Sequence, residues 1–284
     1  MANILLRSPY FIYEPRATAL SSKMELFIEN VLKYTIIKNT DSAEAALFEI
    51  AELAKDYSVN SFNGTYTDNV VSLTITVQFY DAVDGGGSTI GSAINFYHEG
   101  FNGYSNYQDG KNAVIPEGSL LITNRTIYQP EGIGGVIPVE DTGQITYVSF
   151  NTQQTSGVFG GQTVYIKRLC EPKFTPIKVT FVNKFGALQD MYFFKKTIKN
   201  IAIDKDRYKR HAITQSGNYT VSDHQDTVLR ANGNERITLN SPFVDEGMNA
   251  PIKELLLSTS VWITENSVVL PVVVSTKAYN IKPK

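Results

Sequence analysis

The residues that could catalyse a reaction are few and scattered in this sequence. The three histidines, His98, His211 and His224, show neither a His-Glu-x-x-His pair nor another metal-binding spacing. His224 lies within Ser222-Asp-His-Gln-Asp226, which could act as an acid–base cluster but is more typical of a polar turn between strands. The single cysteine, Cys170, can form neither an internal disulfide nor a zinc site. We therefore predict no catalytic residue, no metal site and no cofactor.

Motifs that bind phosphates or sugars are equally weak. Gly85-Gly-Gly-Ser-Thr-Ile-Gly91 lacks the third glycine and the following helix of a dinucleotide-binding loop, so we predict a flexible hairpin tip. Carboxylates are plentiful, and a glycosidase pair therefore stays open as an alternative. A sugar-cleaving site usually adds several aromatic platforms, but the single tryptophan, Trp262, lies in an apolar strand and is predicted to pack in a core or an interface.

The segment Lys195–Arg210 is the one candidate for a contact with nucleic acid. It is rich in lysine and arginine and lies beside aromatic residues, as a groove that follows a phosphate backbone requires. Ile198, Ile201 and Ile203 instead indicate a strand with a solvated face. A contact with an acidic neighbouring protein is an equally good interpretation.

Charge is distributed unevenly along the chain. Residues 1–166 contain 8 Lys+Arg and 17 Asp+Glu, whereas residues 167–284 contain 18 and 11. The two parts carry −9 and +7, which sum to the net charge of −2. Opposite charges attract within one chain or between copies, and a head-to-tail ring or stack would use this asymmetry. Two domains that merely differ in composition are the simpler explanation.

The elements that hold these residues are predicted to be mostly strands. Leu73–Tyr80 alternates apolar and polar residues with the period of a half-buried strand. Asn183–Gly186 and Asn232-Gly233 are predicted to form tight turns. Helices are predicted over Asp41–Tyr57 and Asn249–Leu257. The fold class is therefore all-β, with two β-sandwich or barrel-like domains and one or two short helices.

A domain boundary is predicted near residue 168, where the charge balance changes sign and Arg168–Pro176 carries two prolines. The predicted domains are residues 1–167 and 168–284, and the first contains a glycine- and tyrosine-rich insertion at about residues 81–162. Loops of this composition can line a partner surface, because tyrosine supplies contact area at low entropic cost. A plain meander of strands with exposed connections is the alternative.

No signal peptide or membrane-spanning run is predicted. The opening residues become polar too soon for a secretory signal, and no apolar run approaches the ~18–20 residues of a membrane helix. The longest apolar stretch, Val268–Val274, has the length of a strand and is interrupted by Pro271. We expect a protein that is made in a cytoplasm, stays soluble and makes no membrane contact.

Three parts of the chain together resemble virion structural proteins of tailed bacteriophages. They are Ser8–Tyr13 with Lys23–Ile28, then Val179–Phe194, and finally Ile252–Ile263 with Leu270–Val274. The resemblance implies β-rich domains packed into a symmetric ring, tube or baseplate, and it brings no catalytic residues. It also implies a place in the virion after assembly in the host cytoplasm, with copies of the chain and other virion proteins as partners.

We therefore predict a structural, non-enzymatic component of a phage tail, neck or baseplate that makes symmetric contacts between subunits. Two other classes stay open: a capsid-decorating or fibre-type protein that binds glycans or a host receptor, and a glycan hydrolase. The predicted contacts bury apolar and tyrosine-rich surface and are oriented by complementary charge. The candidate contact residues are Tyr104, Tyr107, Phe159, Lys195, Lys196, Lys199, Arg207, Lys209 and Arg210.

Overall fold

The computed structural model of the chain describes residues 1–40, 45–169, 174–211, 213, 216–218, 221–241 and 244–276. Over these residues most of the regular structure is β-strand, and the two α-helices are short. The predicted all-β fold class is therefore confirmed.

In chain order, the strands and helices are β1 (Ala2–Leu5), β2 (Phe11–Pro15), β3 (Ser21–Ile28), β4 (Val31–Asn39), β5 (Ala45–Glu49), α1 (Ala51–Ala54), β6 (Val71–Tyr80), β7 (Ile94–Phe101), β8 (Val114–Ile115), β9 (Thr126–Pro130), β10 (Gly135–Asp141), β11 (Gln144–Phe150), β12 (Ser156–Phe159), β13 (Gln162–Leu169), β14 (Ile177–Val182), β15 (Leu188–Phe193), β16 (Ile198–Lys209), β17 (Asp226–Thr238), α2 (Asn249–Leu257), β18 (Val261–Glu265) and β19 (Val268–Val272).

The first part of the chain is built on a six-stranded sheet with the order β4-β3-β6-β7-β1-β8. The alternation predicted for Leu73–Tyr80 is present, because every second residue of β6 is buried. Leu26, Leu73 and Ile75 point from one face into a core cluster that also contains Phe48 from the two-stranded β2–β5 sheet. In β3 and β6 the opposite face carries polar and half-buried side chains, as expected for antiparallel strands with one solvated side. The sheet as a whole is mixed, because β1 pairs with β7 in parallel.

The helix predicted over Asp41–Tyr57 is wrong for residues 45–49, which form β5. Helical structure begins only at Ala51 and ends in a 3₁₀ turn over Lys55–Tyr57, and residues 41–44 lie outside the described residues. The pairing of β5 with β2 places Ala46 and Phe48 on the buried side, so tertiary packing overrides the helical propensity of this segment.

The region of residues 81–162 contributes strands to three sheets. It supplies β7 and β8 of the six-stranded sheet, the whole β10–β11 hairpin, and β9 and β12 of a three-stranded sheet with the order β12-β13-β9. A second core cluster fills this middle part; its buried members include Ile122, Ile137, Val164 and Ile166.

The C-terminal part is a four-stranded sheet with the order β15-β14-β18-β19. Val179 and Phe181 pack with Ile263 and with Leu255 of α2 in a third core cluster. The predicted helix over Asn249–Leu257 is confirmed as α2. Pro271 lies in β19 at the edge of this sheet, where its missing N–H costs no ladder hydrogen bond.

The turn between β14 and β15 joins this sheet to the first part of the chain; we call it the joint. It is the tight turn predicted at Asn183–Gly186, and Gly186 adopts the positive φ of +87° that such a turn requires. Asn183 is buried and its side-chain oxygen accepts hydrogen bonds from the backbone N–H groups of Phe185 (3.0 Å) and Ala187 (3.1 Å). Its amide donates to the backbone carbonyl of Leu121 at 2.7 Å.

Two small hydrophobic clusters also include residues from both sides of residue 168. Phe101 and Ile145 pack with Ala187 in one cluster, and Phe62 packs with Leu188 and Trp262 in the other. The packing of Trp262 in a core agrees with its apolar strand. The boundary near residue 168 stays a prediction, and residues 170–173 of the predicted connector, including Cys170, lie outside the described residues.

A buried carboxyl group next to the joint makes stability depend on pH. Glu254 of α2 accepts hydrogen bonds from the Thr123 hydroxyl and from the backbone N–H of Lys184 (3.2 Å), and burial raises its pKa. Because this pKa is higher in the folded chain than in the unfolded chain, the contribution of Glu254 to stability is greatest at acidic pH. It is lost as pH rises through the raised pKa.

We expect Glu254→Gln to remove this pH dependence. Relative to the wild type, the free energy of unfolding of the variant should rise between acidic and neutral pH by about 1.4 kcal/mol per unit by which the folded pKa is raised. Denaturant titrations at several pH values measure this difference. Glu246→Gln, the same change at an exposed position, is the control. Parallel pH profiles of the wild type and Glu254→Gln would contradict the prediction.

Candidate assembly surface

The feature that stands apart from all these cores is the two-stranded antiparallel pair β16–β17, which we call the ribbon. The pairing runs from Ile198 opposite Thr238 to Lys209 opposite Asp226. At about 3.4 Å per residue, a strand of this length extends for roughly 40 Å. Every residue of β16 is exposed, and β17 is exposed at all but two of its positions. An isolated two-stranded ribbon is only marginally stable in water, so this one is expected to gain stability when it is covered.

The tight turn predicted at Asn232-Gly233 is wrong. Both residues lie in the middle of β17, opposite Asp204 and Ile203, and neither has a positive φ. Gly233 instead leaves space for the side chain of Ile201. A Cβ atom at position 233 would lie only 3.1 Å from the Cδ1 atom of Ile201. Cross-strand pairing over the whole ribbon therefore prevails over the local turn preference of this dipeptide.

The two faces of the ribbon differ in character. Because paired residues in an antiparallel ladder share a face, Ile201 and Ile203 lie on the same side as Ile237. We call this side the isoleucine face. Ile201 and Ile203 are 58% and 59% exposed, which is unusual for two neighbouring isoleucines on one face. The opposite, polar face carries Asn200, Ala202, Asp204, Asp206, Arg230, Asn232, Asn234 and Arg236.

The base of the ribbon is fixed to the C-terminal sheet. Lys199 Nζ contacts both carboxylate oxygens of Glu265 at 2.6 and 2.7 Å. The side-chain amide of Asn240 donates to the backbone carbonyl of Lys196 at 2.7 Å, and Ile237 packs against the third core cluster. The ribbon is therefore held at one end, and its outer part projects without support from the described residues.

The edges of the ribbon are protected against uncontrolled pairing with other strands. The ladder register shifts between Asp206 and Arg207, which leaves Leu229 as an extra residue of β17. Lysine and arginine side chains along β16 add charge to one edge. Bulges and lysines are the usual means by which proteins block edge-to-edge aggregation. A partner is consequently expected to contact a face of the ribbon and not its edge.

The six predicted basic contact residues lie at the two ends of the ribbon. Three of them are at the base, and two are near the outer end of β16. Arg210 forms an ion pair with Asp223 at 3.6 Å where the ribbon begins to turn. In chain order the six are Lys195, Lys196, Lys199, Arg207, Lys209 and Arg210.

The three predicted aromatic contact residues lie elsewhere. Tyr107 is fully exposed in a 3₁₀ turn. Tyr104 is half-buried beside the joint, where the Arg7 guanidinium lies 5.1 Å from the centre of its ring and burial raises its pKa. Phe159 is only 4% exposed, because its ring completes the second core cluster. Its side chain thus belongs to the interior of its own chain and offers no outer surface.

The contact residues predicted from the sequence include none from the second strand of the ribbon. Val228 and Leu229 are exposed apolar residues of β17, and Arg230 and Arg236 add positive charge on the polar face. One signal pointed to it, because no proline occurs between Pro176 and Pro242. A long stretch free of proline is compatible with uninterrupted ladder pairing.

A buried polar cluster under the residue 62–66 loop is the strongest alternative site. Tyr66 donates a hydrogen bond to Asp190, the Thr180 hydroxyl donates to the other carboxylate oxygen at 2.6 Å, and Lys178 Nζ donates to the Tyr66 hydroxyl at 3.1 Å. Burial, reinforced by the charge of Asp190, raises the pKa of Tyr66, which therefore remains a proton donor. Both carboxylate oxygens of Asp190 already accept hydrogen bonds, so the cluster is built to hold the loop on the sheet.

Tyr66→Phe is expected to destabilise the chain by about 1–3 kcal/mol, because it leaves Asp190 and Lys178 with a missing partner in a buried place. The free energy of unfolding in urea measures this loss. Tyr107→Phe, which removes a hydroxyl from a fully exposed ring, should change stability by less than about 0.5 kcal/mol and is the control. Equal effects of the two substitutions would show that the cluster contributes nothing to stability.

The histidines do not converge. His98 is buried against Tyr10, with ring centres 5.3 Å apart, whereas His211 and His224 are exposed near the outer end of the ribbon. In the described ranges no group of three or more His, Cys, Asp or Glu side chains has the arrangement of a metal site.

None of the helices in the described part of the chain combines the length and the apolar character needed to cross a membrane. Comparisons with protein-family models, with curated proteins and with solved structures found no match to this chain.

Proposed function

We propose that this chain is a structural subunit of a tailed-bacteriophage particle, in the tail, neck or baseplate, and that it assembles with copies of itself. The observation that carries the proposal is the projecting ribbon. It exposes two neighbouring isoleucines, flanked by charged residues, on one face, and its base is fixed to a folded sheet. Exposed apolar side chains of this kind contribute to stability only when another molecule covers them.

The isoleucine face is the part of the ribbon that gains most from being covered. Full burial of an isoleucine side chain contributes about 1.5–3 kcal/mol, and Ile201 and Ile203 are more than half exposed in the single chain. Contiguous exposed apolar residues on a sheet face are typical of interaction surfaces. The basic residues around this face would orient a partner of opposite charge.

The place in a phage particle rests on the resemblance of the segments within Ser8–Ile28, Val179–Phe194 and Ile252–Val274 to virion structural proteins. One of them, Val179–Phe194, contains the joint and both strands around it. In the proposed assembly, this segment helps to hold the ribbon in a fixed position on the subunit.

Sedimentation velocity and negative-stain electron microscopy of the purified full-length chain test self-assembly. We expect a discrete ring or stack of subunits that grows with protein concentration. Immunogold labelling of the particles of the encoding phage should then place the chain in the tail, neck or baseplate. A chain that stays monomeric and binds glycans or host cells would support a fibre-type or capsid-decorating function instead, and turnover of polysaccharide would support a glycan hydrolase.

A further inference from the structure

The face of the six-stranded sheet opposite the first core cluster is half-buried or exposed over β4, β3, β6 and most of β7, and we call this part the open face. Over β1 and β8 the same side is buried under the cluster that contains Leu5, Phe101 and Ile115. Its exposed apolar side chains include Leu32 and Ile37 of the edge strand β4 and Tyr97 of β7. The pairing places Leu32 beside Phe27 and Tyr97 beside Thr74, so these residues share one side of the sheet. The open face is thus a second β surface with exposed apolar residues, in addition to the ribbon.

The charges of the open face are opposite to those of the ribbon. Glu25 and Glu99 point from this face and Glu29 lies in the β3–β4 turn at its end, whereas Lys23, paired with Glu25 at 2.9 Å, is the cation among them. Glu29 and Glu99 form no ion pair with any described residue. Glu99 is paired with Ser72, whose backbone N–H donates to the Glu29 carboxylate at 2.7 Å, so the two glutamates are neighbours. Burial and the charge of Glu29 raise the pKa of Glu99.

The two lysines of β4 do not offset this negative charge. Lys38 lies over the ring of Phe48, and Lys33 lies over the ring of Tyr57. Both rings belong to the opposite, covered side of the sheet. The open face therefore presents glutamates and apolar side chains, whereas the outer half of β16 places Lys205, Arg207 and Lys209 on the isoleucine face. The acidic residues on that face are Glu235 and Asp226 of β17, so its net charge is positive.

The dimensions of the two surfaces also match. Strands in a sheet lie about 4.8 Å apart, so the four strands of the open face span roughly 14 Å from β4 to β7, and a ribbon of roughly 40 Å can cross all four. Two sheets pack face to face at about 10 Å through interdigitating side chains. The bulge and the lysines at the ribbon edges oppose the other way of docking, which is to add a strand to an edge.

We propose that the ribbon of one copy packs, through its isoleucine face, on the open face of the six-stranded sheet of a second copy. The inference rests on the proposed self-assembly and names the surfaces that carry it. Donor and acceptor are different surfaces, so each contact leaves one ribbon and one open face free for further copies. This head-to-tail geometry forms a ring when the rotation closes and a filament when it does not.

Cross-linking of single-cysteine variants tests the contact. In a Cys170→Ser background, Ile203→Cys supplies a thiol on the isoleucine face and Thr74→Cys supplies one on the open face. The two full-length variants are mixed and treated with a short bifunctional maleimide, and mass spectrometry identifies the product. We expect a heterodimer that carries one copy of each variant. Ala202→Cys, on the polar face of the same strand, is the matched control and should give at least about tenfold less product with Thr74→Cys.

Exchange of charges provides a second, independent measurement. The ribbon variant Lys205→Glu/Lys209→Glu and the open-face variant Glu29→Lys/Glu99→Lys should each assemble about tenfold more weakly than the wild type. A mixture of the two variants should form mixed oligomers, because each supplies the charge that the other lacks.

The outcomes separate this inference from the proposed function. If the wild type assembles but Ile203→Cys links only to itself, or links to no open-face thiol, the inference is overturned and self-assembly stands. If the charge variants assemble as well as the wild type, the inference is overturned in the same way. If the wild type sediments as a monomer at every concentration and gives no cross-link, both the inference and the proposed self-assembly are wrong.

Discussion

Replacement of Ile201 and Ile203 by aspartate is expected to abolish assembly and to leave the single chain folded. Both side chains are more than half exposed, so they contribute little to the stability of an isolated subunit. In an assembled interface they would be buried, and a carboxylate without a partner is costly there. We expect the affinity between subunits to fall by at least about 100-fold, which corresponds to about 2.7 kcal/mol.

The control for this prediction lies on the same strand. Asn200→Asp/Ala202→Asp also introduces two aspartates into β16, but it places them on the polar face. Sedimentation velocity gives the oligomeric state of both double variants, and urea unfolding reports on their stability. We expect the control to assemble nearly as the wild type does. Wild-type assembly of Ile201→Asp/Ile203→Asp would refute the role of the isoleucine face.

Gly186→Ala is expected to destabilise the whole chain by about 3–5 kcal/mol, in the range that is exceptional for a single substitution. Gly186 has a φ of +87°, where an L side chain is strained. A Cβ at this position would also stand 2.8 Å from the backbone carbonyl carbon and nitrogen of Asn102. Because these are backbone atoms, the joint must open to admit the methyl group.

Gly132→Ala is the control that separates the cost of the positive φ from the cost of the contact between the new Cβ and the neighbouring backbone. Gly132 has a comparable φ of +76°, but nothing lies within 4 Å of the place that its Cβ would occupy. We expect this control to lose only about 1 kcal/mol. Free energies of unfolding in urea for the two variants give the difference. If both variants lost the same amount, contact between the joint and Asn102 would not contribute to stability.

The turn at Asn183–Gly186 could be predicted because its requirement is local. A tight turn of this kind needs a residue with positive φ, and Gly186 can adopt that conformation whatever surrounds the turn. The helix α2 was predictable for a similar reason, since its signals lie within one segment of nine residues. That the turn would seat against Asn102 and Gly103 depends on a contact between residues far apart in sequence. No local pattern encodes that contact.

The failures have the same physical cause. Asn232-Gly233 carries a turn signal, but its conformation is decided by pairing with Asp204 and Ile203. Residues 45–49 have helical propensity, yet they form β5 because β2 offers a partner. On the candidate surface, the basic residues of β16 were predictable from charge clustering. The opposite strand and the common side of Ile201 and Ile203 became apparent only from the register.

The attachment of the ribbon has a mechanical consequence. A pull on its outer end is carried by the β16 ladder to the Lys199–Glu265 ion pair and the packed Ile237. From there it passes into β18, across the ladder to β14, and through the joint to the carbonyl of Leu121 and to the backbone of Tyr104 just after β7. Beyond the ion pair, each step is a paired strand or a hydrogen bond to the joint. Tension between neighbouring subunits would therefore turn or shift the subunit as one stiff body, with little stretch between its two halves.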